Sequence, residues 1–276
     1  MRILCFLNRD LASNLALNLL LRALPEHEVR VGLSEQVGSS SLDEAPERRE
    51  LRMAEQWLPN QLLFPLVECA NRPDHGSRHL TFAEIQRYRG IPIESLPNPN
   101  IVPAIDSISS FAPDLIVTVR YGAILKPPVI AIPRLGVLNL HSGLLPQYRG
   151  VLATFRALMN EDATIGCTLH YIADASIDTG DIIGVRTVPV SRDASLLRHI
   201  LALYPPGIAL MRAVIEGLAK GDRPRTTKQT GDGAYYSYPT REEWSGFTRR
   251  GWRVAEMRDL SDALEPYMGE ERVAAC

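Results

Sequence analysis

The 276-residue sequence predicts an α/β protein that is built on a mostly parallel sheet and carries a small C-terminal appendage. The chain opens with an apolar run at 2–7, a leucine-rich segment and a second strand-like run at 28–33, and this β-α-β order is typical of parallel sheets. Residues 114–119 form a further apolar run, rich in β-branched side chains, as in a strand that is buried on both faces. Beyond residue 221 the composition changes to short aromatic-rich segments, which indicates a separate small unit.

The first helix is expected to begin after Asp10 or Ser13, either of which can cap it, and to end before Pro25. The turn before this helix contains no glycine, so neither the GxGxxG motif nor a P-loop is present there. Residues 35–80 are polar and helix-prone around 43–70, and we predict that they form an insertion. The elements expected next are a helix capped by Thr81 and ending at Gly90, a strand at 91–96, a helix at 101–111 and the strand at 114–119.

The rest of the chain continues with short elements and one long helix. The elements expected are a short helix after Pro127–Pro128, strands at 136–138, 165–172 and 182–190, and a helix at 154–159. A long amphipathic helix is predicted from about 194 to 217, with a kink at Pro205–Pro206. We therefore divide the chain into a domain at 1–220 and an appendage at 221–276, in which we expect a hairpin and a terminal helix at 259–268.

The bulk properties exclude several classes of function. A net charge of -2 gives no global attraction to nucleic acid or to anionic membranes. Four widely spaced cysteines form neither a CxxC motif nor a Cys/His cluster, so we expect no metal and no disulfide framework. The apolar N-terminal run is too short for a signal segment or a membrane span. The sequence thus predicts a cytoplasmic, reduced, metal-free protein that does not bind membranes.

The stretch from Asn139 to Gly150 carries the clearest chemical signal. It follows a strand-like run, and Asn139 and His141 are two residues apart, so both side chains point to one face if the strand continues through them. The carboxyl ends of strands are where open α/β sheets bind ligands. Asp178 lies on a turn about forty residues later. An amide, an imidazole and a carboxylate that converge at this edge form the main functional hypothesis.

These residues resemble the formyltransferases that use 10-formyltetrahydrofolate, a family that includes glycinamide ribonucleotide formyltransferase, methionyl-tRNA formyltransferase and the sugar N-formyltransferases. The resemblance covers about residues 1–190. It rests on Asn-Leu-His followed by Leu-Leu-Pro-Gln-Tyr-Arg-Gly, on the earlier Tyr-Gly-Ala-Ile-Leu and on the later Asp-Thr-Gly-Asp-Ile-Ile. It implies a Rossmann-like formyltransferase fold and the transfer of a formyl group from the folate to an amine.

The resemblance also implies the role of each candidate catalytic residue. Asn139 would donate its amide to the formyl oxygen, and His141 would stabilise the tetrahedral oxyanion and take part in proton transfer. Asp178 would orient the imidazole and help to remove the amine proton. Acyl transfer needs such a fixed donor, commonly worth about 2.7–4 kcal/mol, together with a base. The other histidines, His27, His75, His79, His170 and His199, are expected to be structural.

Two segments are implied to hold the folate, which is expected as the formyl-donor cosubstrate. Backbone N–H and C=O groups suit a pterin ring, because its edge alternates donors and acceptors. Arg120 lies at the edge of the first segment and is a candidate for contact with the folate tail. The cofactor-binding candidates are Tyr121, Gly122, Ala123, Ile124, Leu125, Asp174, Ala175, Ser176 and Ile177.

Departures from the family pattern restrict the acceptor. Many relatives have serine where this chain has Gly143, and the first turn lacks the glycine-rich phosphate loop of the glycinamide ribonucleotide enzymes. The appendage is short and not basic, whereas tRNA binding normally needs a positive surface. The expected acceptor is thus an amine or hydroxylamine of a small molecule, such as an amino-sugar nucleotide or a specialised metabolite. A methionyl-tRNA formyltransferase and a non-catalytic folate-binding protein are the alternatives.

The role of the aromatic residues in the appendage stays open at this point. Three uses fit them: shaping the acceptor site, forming a homodimer interface with large buried area, or packing against the rest of the chain. The residues concerned are Tyr235, Tyr236, Tyr238, Trp244, Phe247 and Trp252.

Overall fold

A computed structural model describes residues 1–22, 24–35, 44–70, 76–231 and 233–269. Nine strands lie in these ranges: β1 Arg2–Asn8, β2 Glu28–Ser34, β3 Ile93–Ser95, β4 Leu115–Val119, β5 Val137–His141, β6 Tyr148–Gly150, β7 Thr164–Ile172, β8 Ile182–Pro189 and β9 Ala234–Tyr236. The helices are α1 Leu11–Leu21, α2 Pro46–Arg52, α3 Phe64–Cys69, α4 Phe82–Arg89, α5 Val102–Phe111, α6 Pro127–Ile130, α7 Ala153–Met159, α8 Leu196–Ala202, α9 Tyr204–Ala219, α10 Arg241–Arg249 and α11 Met257–Met268.

Seven strands form one sheet in the order β3-β2-β1-β4-β5-β7-β8. The first five are mutually parallel, and β7 and β8 add to one side as antiparallel neighbours. This confirms the predicted α/β fold with a mostly parallel sheet. The chain runs from β1 outward to β3 on one side and then returns to β4 on the other side of β1. Ligands of open α/β sheets bind at the carboxyl ends of strands where the order reverses in this way.

Capping residues begin and end the early helices as the sequence predicts. The Asp10 carboxylate accepts a hydrogen bond from the Ser13 amide and caps α1. Thr81 and Glu84 form a reciprocal capping box at the start of α4, and Gly90 ends that helix with φ +64°. Asp10, the cap of α1, lies directly beyond the carboxyl end of β1.

The described part of the predicted insertion is a helical arm, which runs from α2 through two π-helical turns into α3. The turns cover Met53–Trp57 and Pro59–Leu63. Pro59 has no N–H to donate and crowds the carbonyl of Glu55, four residues earlier, so the wider i→i+5 bonding accommodates it. The helical prediction around 43–70 is confirmed from Pro46 onward; residues 36–43 and 71–75 lie outside the described part.

The long helix expected from about 194 to 217 is present as α8 and α9, with a break at Leu203 just before the predicted kink at Pro205–Pro206. Both prolines lie in the first turn of α9, where missing N–H donors cost little. The hairpin expected in the appendage is wrong, because the described residues there form none. The appendage strand β9 instead pairs in parallel with the distant β6, so long-range pairing took the place of the local turn.

The described residues of the appendage share the main hydrophobic core. Trp244, Phe247 and Trp252 are buried, and the ring centroids of Trp244 and Phe247 lie 4.5 and 4.8 Å from Phe155 of α7. Packing thus accounts for these three aromatic residues. The division of the chain near residue 220 stays a prediction about its organisation.

One described segment, Leu196–Ala219, has the length and the mean hydropathy of 1.3 that would suit a membrane-crossing helix. Half of its most apolar window is buried within the protein, and α9 packs on α1, β7 and β8. A core helix has the same composition, so this segment is explained by its place over the sheet.

Gly150 is required where β6 meets β9. Its φ is +96°, and a Cβ there would lie 2.2 Å from the Tyr236 carbonyl oxygen. We expect Gly150→Ala to lower the free energy of unfolding by about 2–4 kcal/mol in urea denaturation. Gly251→Ala is the matched control, because Gly251 has φ +81° and nothing within 4 Å of the added Cβ. It should cost only about 1 kcal/mol. Equal losses would show that the contact with Tyr236 does not matter.

Candidate functional site

A cavity of about 380 Å³ opens at the carboxyl ends of β1, β4 and β5. The antiparallel strand β7 and the loop after it form one wall, and the helical arm of residues 46–69 forms the opposite wall. All twelve candidate site residues line this one cavity: Asn139, His141, Asp178, Tyr121, Gly122, Ala123, Ile124, Leu125, Asp174, Ala175, Ser176 and Ile177. Their convergence is a fact of the fold, whereas their roles stay predictions.

Asn139 is fixed from two sides. In the parallel register it lies opposite Thr118, whose hydroxyl bonds to the Asn139 Oδ1 at 2.7 Å. The Asn139 Nδ2 then faces acceptors, at 3.2 Å from the Asp178 Oδ1 and 3.0 Å from the His170 Nε2. The two N–H groups of this amide are thus directed at the Asp178 and His170 side chains.

Asp178 lies in the left-handed region, with φ +55°. Its backbone carbonyl accepts a 2.8 Å hydrogen bond from the Gln229 side chain, and its Oδ2 accepts a 2.9 Å bond from the Gly150 N–H. Burial raises the pKa of Asp178, but the nearby His141 and His170 side chains and the Gly150 N–H outweigh burial and bring the pKa to about 2. Asp178 is therefore a carboxylate at every pH near neutrality.

His141 is buried between two oxygen atoms. Its Nε2–H donates to the Tyr148 carbonyl oxygen at 2.6 Å, and its Nδ1 faces the Asp178 Oδ2 at 3.4 Å. The backbone at Gly143 packs directly on this ring, because a Cβ there would lie 2.6 Å from the His141 Nε2 and 2.5 Å from the Ala153 Cβ. A serine at this position would not fit here without a shift.

His170 is a site residue that the sequence did not indicate. It lies opposite Asn139 in the antiparallel ladder of β5 and β7. Its Nδ1–H donates to the Tyr171 carbonyl oxygen at 2.9 Å, which leaves Nε2 as an acceptor for the Asn139 amide; the same nitrogen is 3.5 Å from the Asp178 Oδ1. Only the pairing register brings His170 there, and a single sequence does not reveal that register.

The segment 121–125 is held by its own backbone and by Tyr121. The Tyr121 ring stacks on Phe6 with centroids 4.9 Å apart, and its hydroxyl donates to the Leu96 carbonyl oxygen. The Gly122 N–H donates to the Ser34 hydroxyl at 2.9 Å. Leu125 is buried and Ile124 is exposed.

The second wall of the cavity comes from regions of the chain that contain no recognisable motif. The helical arm contributes Arg48, Leu51, Arg52, Glu55 and Gln56, and the appendage contributes Tyr235 and Tyr238. The Arg48 guanidinium lies 3.7 Å above the Tyr238 ring centroid. Tyr235 is exposed. Two appendage tyrosines therefore shape the cavity, in contrast to the three buried aromatics.

The described residues hold no group of three or more His, Cys, Asp or Glu side chains arranged for a metal ion. Around Asn139 the cavity wall presents an amide, the two imidazoles of His141 and His170, and the ionised carboxylate of Asp178. Such a set orients a carbonyl, stabilises negative charge on its oxygen and accepts a proton.

The comparisons with known proteins agree on one family. Residues 98–199 match the family model described as "Formyl transferase". The methionyl-tRNA formyltransferase of Ralstonia nicotianae is 30% identical over 230 residues, which cover 76% of this chain and 68% of that protein. The enzyme of the same name from Roseiflexus sp. is 36% identical over 135 residues, 48% of this chain and 40% of the relative. The chain spans about half the length of most of the relatives that it matches.

Solved structures share the fold at low sequence identity. A 4-N formyltransferase from Francisella tularensis aligns with a TM-score of 0.59 at 16% identity, covering 98% of this chain and 89% of that one. A glycinamide ribonucleotide transformylase from Symbiobacterium toebii aligns with a TM-score of 0.56 at 18% identity, covering 83% and 94%. These likenesses confirm the predicted formyltransferase fold.

The cavity wall also holds a carboxyl group that titrates near neutrality. Burial raises the pKa of Glu55 from 4.5 to about 7, an effect that Arg120 opposes and Asp10 supports. Because the folded pKa of Glu55 lies above its unfolded value, Glu55 contributes fully to the free energy of unfolding below about pH 4.5. This contribution is lost as the pH rises through 7.

We expect Glu55→Gln to reduce the loss in the free energy of unfolding between pH 5 and pH 8, measured by urea denaturation. The exposed Glu50→Gln in α2 is the control, and curves parallel to wild type in both variants would contradict this assignment.

Proposed function

The chain belongs to the formyltransferase family, and on that premise we propose that it moves a formyl group from 10-formyltetrahydrofolate to an amine or hydroxylamine of a small molecule. The observation that carries the proposal is the convergence of Asn139, His141 and an ionised Asp178 on one cavity. The amine nitrogen attacks the formyl carbon, and the bond from that carbon to the folate nitrogen then breaks. The amine loses a proton and the departing folate nitrogen gains one, so the products are the N-formylated acceptor and tetrahydrofolate.

Asn139 is the proposed donor to the formyl oxygen. Its Oδ1 is held by Thr118, and its two N–H groups bond to Asp178 and His170, so one of these bonds must give way to the formyl oxygen when the donor binds. Negative charge grows on the formyl oxygen during attack, so a preoriented N–H stabilises the transition state more than the ground state. Donors of this kind commonly contribute about 2.7–4 kcal/mol.

Asp178 and His141 are the proposed groups for proton removal. A carboxylate with a pKa of about 2 is a weak base toward a free ammonium group. The attacking amine, however, becomes strongly acidic as its nitrogen bonds to carbon, so Asp178 can then accept the proton, directly or through a water molecule. His141, whose Nδ1 lies 3.4 Å from the same carboxylate, is proposed to take part in this proton transfer and to help stabilise the oxyanion.

The folate is proposed to bind between the segments 121–125 and 174–177. Their backbone groups line the cavity beside Asn139, and a pterin edge needs such alternating donors and acceptors. A solved N-formyltransferase from Helicobacter canadensis holds folinic acid and dTDP-3-aminofucose, at 18% identity to this chain. That precedent supports a folate beside a small-molecule acceptor, which we place between Arg48, Gln56 and the appendage tyrosines.

A methionyl-tRNA formyltransferase is the second candidate, because the curated relatives named above bear that name. Against it we weigh the net charge of -2 and the absence of a basic excess in residues 221–276. The cytoplasmic location, the absence of nucleic acid partners and a homodimer through the appendage all stay predictions.

The first test is formyl transfer itself. Purified protein, 10-formyltetrahydrofolate and a panel of amines are incubated, and products are read by mass for the gain of one formyl group. We expect His141→Ala and Asp178→Asn to lower kcat by at least about a hundredfold while folate affinity changes little. Asp181→Asn in the same loop is the matched control and should keep wild-type activity. Full activity of Asp178→Asn would defeat the assignment.

The second test separates the two acceptors. We expect no electrophoretic shift of initiator methionyl-tRNA at micromolar protein in low salt, and no formylation of its methionine, since the protein carries no net positive charge to neutralise phosphates. A salt-sensitive shift together with formylated methionine would establish the tRNA enzyme. Folate binding without turnover on any acceptor would leave a non-catalytic folate-binding protein.

A further inference from the structure

Arg120 is a non-glycine residue in the left-handed region, with φ +56°. It stands directly after β4 and directly before the segment 121–125. Residues other than glycine rarely adopt this conformation, because the Cβ crowds the neighbouring carbonyl oxygen. Something must therefore hold the backbone of Arg120 in this state.

Two carboxylates hold the Arg120 side chain. Its Nε donates to the Asp10 Oδ2 at 2.9 Å, and its Nη2 lies 2.9 Å from the Glu55 Oε2. The guanidinium is largely buried, at 15% exposure. Burial disfavours its charged form, yet Asp10 and Glu55 outweigh burial and raise the pKa of Arg120. The Arg120 guanidinium thus links two separate parts of the fold, namely the cap of α1 and the π-helical turn of the helical arm.

The same hydrogen-bond network reaches the segment 121–125 a second time. Asn8 donates to the Asp10 Oδ2 at 2.8 Å, and the Ser34 hydroxyl donates to the Asn8 Oδ1 at 3.0 Å. The Ser34 hydroxyl in turn accepts the Gly122 N–H at 2.9 Å. Arg120 and Gly122 are therefore tied to one polar cluster at the ends of β1 and β2.

We propose that Arg120 is a positioning residue for the formyl donor: its ion pairs with Asp10 and Glu55 hold the backbone turn from which the donor-binding segment 121–125 starts. This inference rests on the proposed function, because it takes that segment as the donor site. It also involves the helical arm in donor binding, because Glu55 of that arm contacts Arg120.

The ion pairs of Arg120 preorganise the segment 121–125 for the donor. Without the ion pairs, the residue at position 120 relaxes to a right-handed or extended conformation, and the backbone N–H and C=O groups that follow point elsewhere. The donor then binds only the fraction of molecules in the left-handed state, and its apparent affinity falls by that fraction. A glycine at this position populates the left-handed state without side-chain crowding.

The test compares Arg120→Ala with Arg120→Gly, which lose the same guanidinium and differ only in the Cβ. Donor affinity is measured by calorimetric titration of folinic acid, and KM is measured for donor and acceptor separately. We expect the donor Kd of Arg120→Ala to rise at least tenfold with acceptor KM within twofold. Arg120→Gly should bind the donor about fivefold more tightly than Arg120→Ala, although glycine removes more atoms.

Control and supporting variants complete the design. Arg134→Ala breaks the ion pair with Asp114 at the opposite end of β4 and should leave donor Kd unchanged. Glu55→Ala leaves the bond from Arg120 to Asp10 intact and should raise donor Kd about threefold, which decides the question if Arg120→Ala does not fold. Asp10 is left unchanged because it also caps α1.

The outcomes separate the inference from the function on which it rests. Equal donor Kd in the Ala and Gly variants, both weaker than wild type, would mean that Arg120 contacts the folate itself and does not act as a positioning residue. Donor Kd within twofold of wild type in Arg120→Ala and Glu55→Ala would overturn the inference while wild-type transfer stands. Wild-type protein that neither binds folinic acid nor transfers formyl would overturn the proposed function instead.

Discussion

The site depends on one buried carboxylate that is kept ionised. Asp178 accepts the Gly150 N–H and lies within 3.5 Å of Asn139, His141 and His170. Hydrogen bonds to a charged group contribute about 1.5–3 kcal/mol each, enough to outweigh the burial of the charge. The surrounding structure supplies these partners: β6 provides the N–H, β5 the amide and one imidazole, and β7 the other. Removing the negative charge of Asp178 would leave the Gly150 N–H and the Asn139 amide without their charged acceptor.

The two walls of the cavity have different origins. The wall that carries Asn139 and His141 belongs to the sheet, where backbone hydrogen bonds fix positions closely, and Asp178 lies on the loop between β7 and β8. The opposite wall comes from the helical arm and from the appendage, whose strand β9 pairs with β6 outside the main sheet. Loops and insertions vary more readily than strands, so this wall can change while the fold stays the same.

Sequence reasoning succeeded where the signal was local. The apolar runs, the Thr81 capping box and the Asn139-x-His141 spacing each depend on residues that are close in the chain. It failed where two distant segments compete for pairing. The hairpin expected in the appendage depended on local turn preference, but β9 gains a parallel partner in β6 and buries the aromatic residues that follow. Local preference is weak beside the burial of large apolar side chains.

By itself, the sequence determined the α/β class and most of the elements, because periodicity and caps depend on residues that are close in the chain. It also predicted the candidate triplet Asn139, His141 and Asp178 and the candidate donor segment 121–125, which line one cavity. The tertiary structure decided the rest. It placed His170 against Asn139 through a strand register, lined the cavity with Glu55 and Tyr238 from regions without a motif, and set Arg120 between Asp10 and Glu55. These contacts join residues tens of positions apart, and only the packing of the elements against one another brings such residues within hydrogen-bonding distance.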